Sequence, residues 1–175
     1  MNAADYLVIE SLRDGRPVRI RALKPSDRES MLAAVGRTGD ASIYRRFFSA
    51  KHSFSEKEIA YFMDVDFVTH VALAAEIDEN GERVIAGGGR YIVSAPGCAE
   101  MAFAVDDPHQ GFGIGKLLMR HLTLIAKAAG LDTLKAEVLA DNTPMLSVFK
   151  ASGLPLRTTR DGGVTIVHMD CRGSS

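Results

Sequence analysis

A glycine-rich stretch, DDPHQGFGIGKLLMRHL at residues 106–122, has the composition of a phosphate-binding turn. Gly111, Gly113 and Gly115 alternate within it, and an apolar pattern of helical period follows at once. The first N–H groups of a helix have no intrahelical partner, and the helix dipole places about half a positive charge beside them. Lys116 adds a full positive charge close by. The stretch therefore predicts an anion site at a helix start.

The spacing of this stretch excludes two common glycine motifs. A P-loop needs Ser or Thr after Gly-Lys, but Leu117 follows Lys116. A dinucleotide fingerprint that began at Gly111 would need a glycine at position 116. The pattern Gln-x-x-Gly-x-Gly fits instead, with Gln110, Gly113 and Gly115. Here the chain resembles the GNAT (GCN5-related N-acetyltransferase) superfamily, although a tight strand-to-helix turn without a ligand is the alternative interpretation.

A second element strengthens this resemblance. The segment DNTPMLSVFKASGL, residues 141–154, resembles the asparagine-containing helix of the family, with Asn142 27 residues after Gly115. The resemblance runs from Val18 to Met169. It implies one domain over residues 1–175 with an α+β (mixed α/β) fold in three layers. A central twisted mixed sheet is flanked by helices, and acetyl-CoA, the co-substrate, binds where two parallel strands splay apart.

The resemblance also implies the acetyl-CoA site. The backbone amides of the glycine turn would hold the pyrophosphate, and Asn142 would bond the pantetheine arm or cap its own helix. Phe149 replaces the tyrosine that family members often use to protonate the CoA thiolate, so the thiolate leaves unassisted or another group serves. The implied binding residues are Phe103, Ala104, Val105, Gln110, Gly111, Phe112, Gly113, Ile114, Gly115, Lys116, Asn142 and Phe149.

Glu100 is the candidate general base. An amine must be neutral to attack a thioester, and a lysine with a pKa of about 10.4 is neutral in only about one part in a thousand near pH 7.4. In the strand AEMAFAV, residues 99–105, alternation places Glu100 on one face with Ala102 and Ala104. Such apolar surroundings would raise its pKa toward a useful range. The alternative is a partly exposed strand glutamate without a chemical role.

The elements around these residues follow from periodicity and turn signals. Residues 18–22 alternate as a strand, and Pro25 or Ser26 begins a helix. Two further helices are predicted at 42–50 and 55–65, the second capped by Ser55, and Asn80-Gly81 and residues 95–97 make hairpin turns. The remaining predictions are helices at 114–129 and 143–152, and strands at 67–77, 84–93, 99–105, 133–139 and 164–170, the last after a turn at 160–163.

The acyl acceptor is inferred from a finer resemblance. The stretches DGRPVRIRALKPSDRE, SIYRRFFSAKHSFSEKEI and VDFVTHVALAAE resemble the catalytic domain of bacterial Pat-type protein lysine acetyltransferases. This resemblance implies transfer to a protein lysine by direct attack in a ternary complex. Two alternatives stay open: acetylation of a small-molecule amine, and a catalytically silent module that senses acyl-CoA.

Composition excludes several other classes of protein. The net charge is −1, and the excess of basic residues at 13–57 either steers an acidic protein or lies on solvated helix faces. No nucleic-acid partner is expected, because this excess is modest and no recognition motif accompanies it. Cys98 and Cys171 show no metal-ligand or disulfide spacing, which predicts a cytoplasmic protein without a metal. No signal peptide or membrane-spanning run is recognised. A homodimer stays open because the sequence does not fix the oligomeric state.

Three histidines and a cysteine offer weaker alternatives. His70 is an alternative base or a buried sheet histidine, and His121 is expected to pack on the apolar helix face. His109 contacts CoA or is a solvated loop residue. A nucleophilic role for Cys98 is unnecessary when the amine attacks the thioester directly.

Overall fold

One mixed sheet dominates the computed structural model, which describes residues 3–29, 63–105, 110–140 and 142–172. Within these ranges the sheet has eight strands in the order β1-β2-β3-β4-β5-β6-β8-β7. The strands are β1 Leu7–Ser11, β2 Pro17–Ala22, β3 His70–Glu79, β4 Glu82–Ala95, β5 Cys98–Val105, β6 Thr133–Leu139, β7 Leu156–Asp161 and β8 Val164–Asp170. Two α-helices lie wholly within these ranges, α1 Ile114–Ala128 and α2 Thr143–Lys150, together with short 3-10 helices at Ala3–Asp5 and Pro25–Asp27.

The sheet is antiparallel except at its centre. β5 and β6 form a parallel pair, joined by a crossover through α1, while every other neighbouring pair among the described strands is antiparallel. This mixed topology confirms the predicted α+β fold. The helices predicted at 42–50 and 55–65, with the Ser55 cap, lie largely outside the described residues.

The turns were predicted from the residues that form them. Asn80 and Gly81 both have positive φ, at 53° and 81°, and they join β3 to β4 between the paired residues Glu79 and Glu82. This geometry suits a two-residue hairpin of right-handed twist. The turn at 95–97 joins β4 to β5 as predicted. The strand β1 was missed, because it is an edge strand whose Leu7 and Ile9 are exposed.

The helix α1 packs its apolar side on the sheet. Ile114, Leu118, Leu122 and Ile125 are buried, as the helical period predicted. The helix ends before Gly130, whose φ of 81° is left-handed. Ala129 is exposed, since it follows the last helical residue. A smaller apolar cluster around Leu23, Ala72, Ala74 and Ile85 lies apart from the main core.

Paired charges join the sheet to the turn that follows β2. The Glu76 carboxylate is 8% exposed and accepts hydrogen bonds from Arg19 Nε and Arg21 Nη2, each at 2.8 Å. Arg21 also donates twice to Asp27, at 2.8 and 2.9 Å, and Arg19 donates to Asp78 at 2.9 Å. Burial acts to raise the pKa of Glu76, but the two guanidiniums outweigh burial and hold it below its ordinary value.

We expect Glu76→Gln to lower the free energy of unfolding by about 1–3 kcal/mol, the usual range for hydrogen bonds to a charged group. Because the folded-state pKa is lowered, this contribution is complete above the unfolded-state pKa, near pH 4, and is lost as the pH falls through the folded-state value. Urea unfolding at pH 7 measures the loss. The control is Asp78→Asn, since that side chain is 57% exposed and should change stability by about 0.5 kcal/mol or less. Equal losses of unfolding free energy in the two variants would contradict the stabilising role of Glu76.

Candidate active site

A cavity opens where β5 and β6 separate. The parallel pairing covers three residue pairs and ends at Glu100 and Lys135, although both strands continue beyond them. The cavity has a volume of about 620 Å³ and is lined from this last pair to the glycine turn before α1. This is the splayed strand pair that the sequence predicted.

The structure brings the predicted site residues together around this cavity, with one exception. Phe112 does not line it, because its ring lies beneath the Arg16 guanidinium carbon, 5.1 Å from the ring centroid. The predicted residues that line it are Glu100, Phe103, Ala104, Val105, Gln110, Gly111, Gly113, Ile114, Gly115, Lys116, Asn142 and Phe149. Three segments far apart in sequence therefore meet at one cavity.

The glycine turn presents the start of α1 to the cavity. Gly113 is the N-cap with a φ of 94°, a left-handed conformation that a residue with a side chain adopts only at a cost. The N–H groups of the first helical turn, at positions 114–116, begin at the cavity wall. Gln110 Nε2 donates to the Val105 carbonyl oxygen at 3.0 Å and so ties the turn to the end of β5. His109, which lies before this turn, is outside the described residues.

Gly115 serves the packing of the two helices. A Cβ at this position would lie 3.3 Å from Val148 Cγ2 on α2. That contact is tighter than side chains normally make, so the glycine lets α2 approach the first turn of α1. The sequence assigned Gly115 to cofactor binding, and the structure adds this reason for its small size.

The cavity wall formed by α2 and its N-cap contains two of the implied binding residues, Asn142 and Phe149. Asn142 is the N-cap of α2, and its Oδ1 accepts from Met145 N at 3.3 Å, which confirms the capping alternative. Asn142 lines the cavity, and the N–H groups of its side-chain amide can donate to a ligand there. Phe149 is 1% exposed and packs edge-to-face on Phe103, with 5.7 Å between ring centroids.

Glu100 lies at the end of the cavity where the strands part. Its side chain is 54% exposed, and its Oε1 is 4.0 Å from Lys135 Nζ. The expectation that apolar neighbours enclose this carboxylate is therefore wrong: alternation showed which face it shares with Ala102 and Ala104, but not what covers that face. The carboxylate is open to solvent and to an incoming substrate.

The alternative catalytic residues lie elsewhere. His70 is buried and its Nε2 is 2.9 Å from Arg90 Nη1; burial, and next the Arg90 charge, lower its pKa, so at neutral pH its ring accepts from Arg90. His121 is a buried residue of α1. Its Nδ1 contacts the Tyr6 hydroxyl, and its Nε2 lies 3.0 Å from Glu10 Oε2 on β1. Neither histidine nor Cys98 lines the cavity.

Four charged residues on the cavity wall were missed by the sequence reasoning: Arg13, Arg90, Lys135 and Glu137. Strand register offered a signal for two of them, since Arg90 pairs with Ala102 and Lys135 pairs with Glu100. Arg13 gave no such signal, because it belongs to the turn between β1 and β2, 98 positions before Gly111.

The part of the chain that the structure describes offers neither a metal cluster nor a membrane-spanning helix. They contain no cluster of three or more His, Cys, Asp or Glu side chains that could hold a metal ion. No helix in the described part of the chain has both the length and the apolar character needed to cross a bilayer.

The amino-acid sequence matches the model of the acetyltransferase (GNAT) family over residues 41–154. An acetyltransferase of Pseudomonas aeruginosa is 31% identical over 161 residues, which cover 91% of this chain and 87% of that protein. The acetyltransferase Pat of Mycolicibacterium smegmatis is 28% identical over 161 residues, and the chain spans only 47% of its length.

A solved structure agrees with these sequence matches. The crystal structure of the GNAT domain of S. lividans PAT superposes with a TM-score of 0.85 at 32% identity. The superposition covers 94% of this chain and 96% of that domain. The shared fold thus includes the central sheet.

Proposed function

The chain belongs to the acetyltransferase (GNAT) family, whose acetyl donor is acetyl-CoA, and we propose that its acceptor is a protein lysine. The amine and acetyl-CoA meet in a ternary complex, without an acyl-enzyme intermediate. The observation that carries this proposal is the cavity between β5 and β6, which joins the start of α1, suited to an anion, to a carboxylate at the point where the two strands part.

The dimensions and chemistry of the cavity support an extended donor with a charged end. The diphosphate of acetyl-CoA would take the amides at 113–116, beside Lys116. Beyond Glu100, β5 no longer pairs with β6, so its backbone groups on that edge can bond the amides of the pantetheine arm. Asn142 and the rings of Phe103 and Phe149 would line the same arm.

The transfer itself needs a neutral amine and a leaving thiolate. The lysine nitrogen attacks the thioester carbonyl carbon, an amide bond forms, and the carbon–sulfur bond breaks. Glu100 takes the proton of the amine, directly or through one water, and such a base contributes about 10²–10⁴-fold. The side chain of Phe149 has no proton to give, and a thiol with a pKa of about 8.5 is acidic enough to leave as thiolate.

The choice of a protein lysine has two supports. The sequence resembles Pat-type protein lysine acetyltransferases, and its GNAT fold superposes on the GNAT domain of S. lividans PAT. The exposed position of Glu100 suits an acceptor that approaches from a protein surface. We also propose a cytoplasmic location, which the free thiols of Cys98 and Cys171 support.

The acceptor class is tested by following CoA release from acetyl-CoA with two sets of acceptors. One arm contains a bacterial protein fraction depleted of small molecules, and the other contains a panel of small amines. We expect release with the protein fraction, and acetyl-lysine identified in it by mass spectrometry. Release with small amines alone would overturn the protein-lysine proposal, and binding of acetyl-CoA without release in either arm would favour the sensing alternative.

A further inference from the structure

One arginine of the turn between β1 and β2, Arg13, contacts the glycine turn that precedes α1. Arg13 N donates to the Phe112 carbonyl oxygen at 3.1 Å, and Arg13 Nη1 donates to the Gly111 carbonyl oxygen at 3.4 Å. Arg13 Cγ and Nε lie 3.7 Å from the position that a Cβ on Gly113 would occupy. Arg13 therefore contacts three consecutive residues of the turn that begins α1.

The backbone of this arginine is held in place by its neighbours. Leu12 is 4% exposed, and its N–H donates to the Arg16 carbonyl oxygen at 2.8 Å. The Arg16 guanidinium lies over the Phe112 ring and pairs with Asp14 at 2.7 Å. The Arg13 guanidinium, by contrast, is exposed, and its bond to Gly111 is long. The backbone of Arg13 is thus fixed, while its guanidinium can exchange one hydrogen-bond acceptor for another at little cost in free energy.

The charged side chains that the described residues place at this end of the cavity are of one sign. Arg13 and Lys116 both line the cavity next to the positive end of the α1 dipole. The carboxylates that the same part of the chain places on the cavity wall, Glu100 and Glu137, belong to β5 and β6. Guanidinium groups bind phosphate oxygens through paired, charge-assisted hydrogen bonds.

We propose that Arg13 is a diphosphate-binding residue of the acetyl-CoA site, supplied by the β1–β2 turn. When the donor binds, the guanidinium exchanges the Gly111 carbonyl oxygen for oxygens of the diphosphate. This inference rests on the proposed function, because it assumes that acetyl-CoA occupies the cavity.

The test compares Arg13→Gln with Arg16→Gln by calorimetric titration of CoA and of 3′-dephospho-CoA. The two variants lose the same charge from the same turn, but Arg16 does not line the cavity. We expect Arg13→Gln to raise the Kd of both ligands by about 10-fold, as charge-assisted bonds to phosphate predict, and Arg16→Gln to raise it by less than about 3-fold. Arg13→Lys should recover part of the loss, because it restores the charge without the paired geometry.

The possible results of these titrations separate the role of Arg13 from the proposed function. If the wild type binds CoA and Arg13→Gln binds it equally well, the role of Arg13 is overturned and the proposed function stands. A loss with CoA but not with 3′-dephospho-CoA would move Arg13 to the 3′-phosphate and overturn the diphosphate assignment. If the wild type binds neither ligand, the proposed function fails with it. Thermal melting confirms that the variants fold, which we expect because Arg13 is exposed.

Discussion

Replacing Gly113 by aspartate is expected to weaken acetyl-CoA binding by about 100-fold or more. Gly113 has a φ of 94° and caps α1, so the new side chain adds backbone strain of about 1–2 kcal/mol. Its carboxylate would stand where the diphosphate is proposed to bind, and it would pair with Arg13, whose Nε is 3.7 Å from the Cβ position. Charge repulsion by the new carboxylate, its steric bulk and the neutralisation of Arg13 would each weaken binding of the diphosphate.

Calorimetric titration of acetyl-CoA measures this effect, and two variants separate its causes. Gly113→Ala adds the strain without the charge, so it should weaken binding much less. Gly162→Asp places the same side chain at another left-handed glycine, with a φ of 63° in the β7–β8 turn away from the cavity. We expect it to leave the Kd unchanged. If Gly113→Asp stayed within about 3-fold of the wild type, the diphosphate would not lie at this turn.

Glu100→Gln is expected to lower kcat by about 100-fold or more while the Kd of acetyl-CoA stays the same. The amide keeps the shape of the side chain but cannot accept a proton, and a general base contributes about 10²–10⁴-fold. The deficit should shrink as the pH rises toward 10, because an acceptor lysine near its own pKa of about 10.4 needs less help from a base. Steady-state rates with a peptide that carries an unmodified target lysine, measured between pH 7 and 10, test both parts.

The matched control for this prediction is Glu137→Gln. Glu137 also lines the cavity, on β6, two positions past the residue that pairs with Glu100. Its replacement removes an equal charge from the same cavity, so it should lower kcat by less than about 10-fold. Equal effects of the two variants would mean that negative charge in the cavity, and not a base at Glu100, supports turnover.

The features that the sequence predicted well are those that depend on neighbouring residues. Gly113 and the apolar period after it specify a capped helix, and Asn80-Gly81 specifies a hairpin, whatever the rest of the chain does. The splayed pair followed from the family resemblance carried by the glycine turn and Asn142. With that resemblance, these signals named 12 of the 26 described residues that line the cavity.

The features that were missed depend on contacts between distant segments. Arg13 reaches the glycine turn only because β1 and β2 fold back beside α1, and its own neighbours in sequence give no sign of this. The exposure of Glu100 depends on what covers one face of β5, which alternation cannot show. The second role of Gly115 likewise depends on Val148 of a different helix.

The central claim, that acetyl-CoA lies between β5 and β6 with its diphosphate at the start of α1, is tested most directly by hydrogen exchange. Amide exchange of the wild type is measured with and without saturating acetyl-CoA. When acetyl-CoA is bound, we expect slower amide exchange at residues 101–105 and 112–116, and unchanged exchange in the β7–β8 turn at 161–164. Saturable binding without protection of these two segments would contradict it.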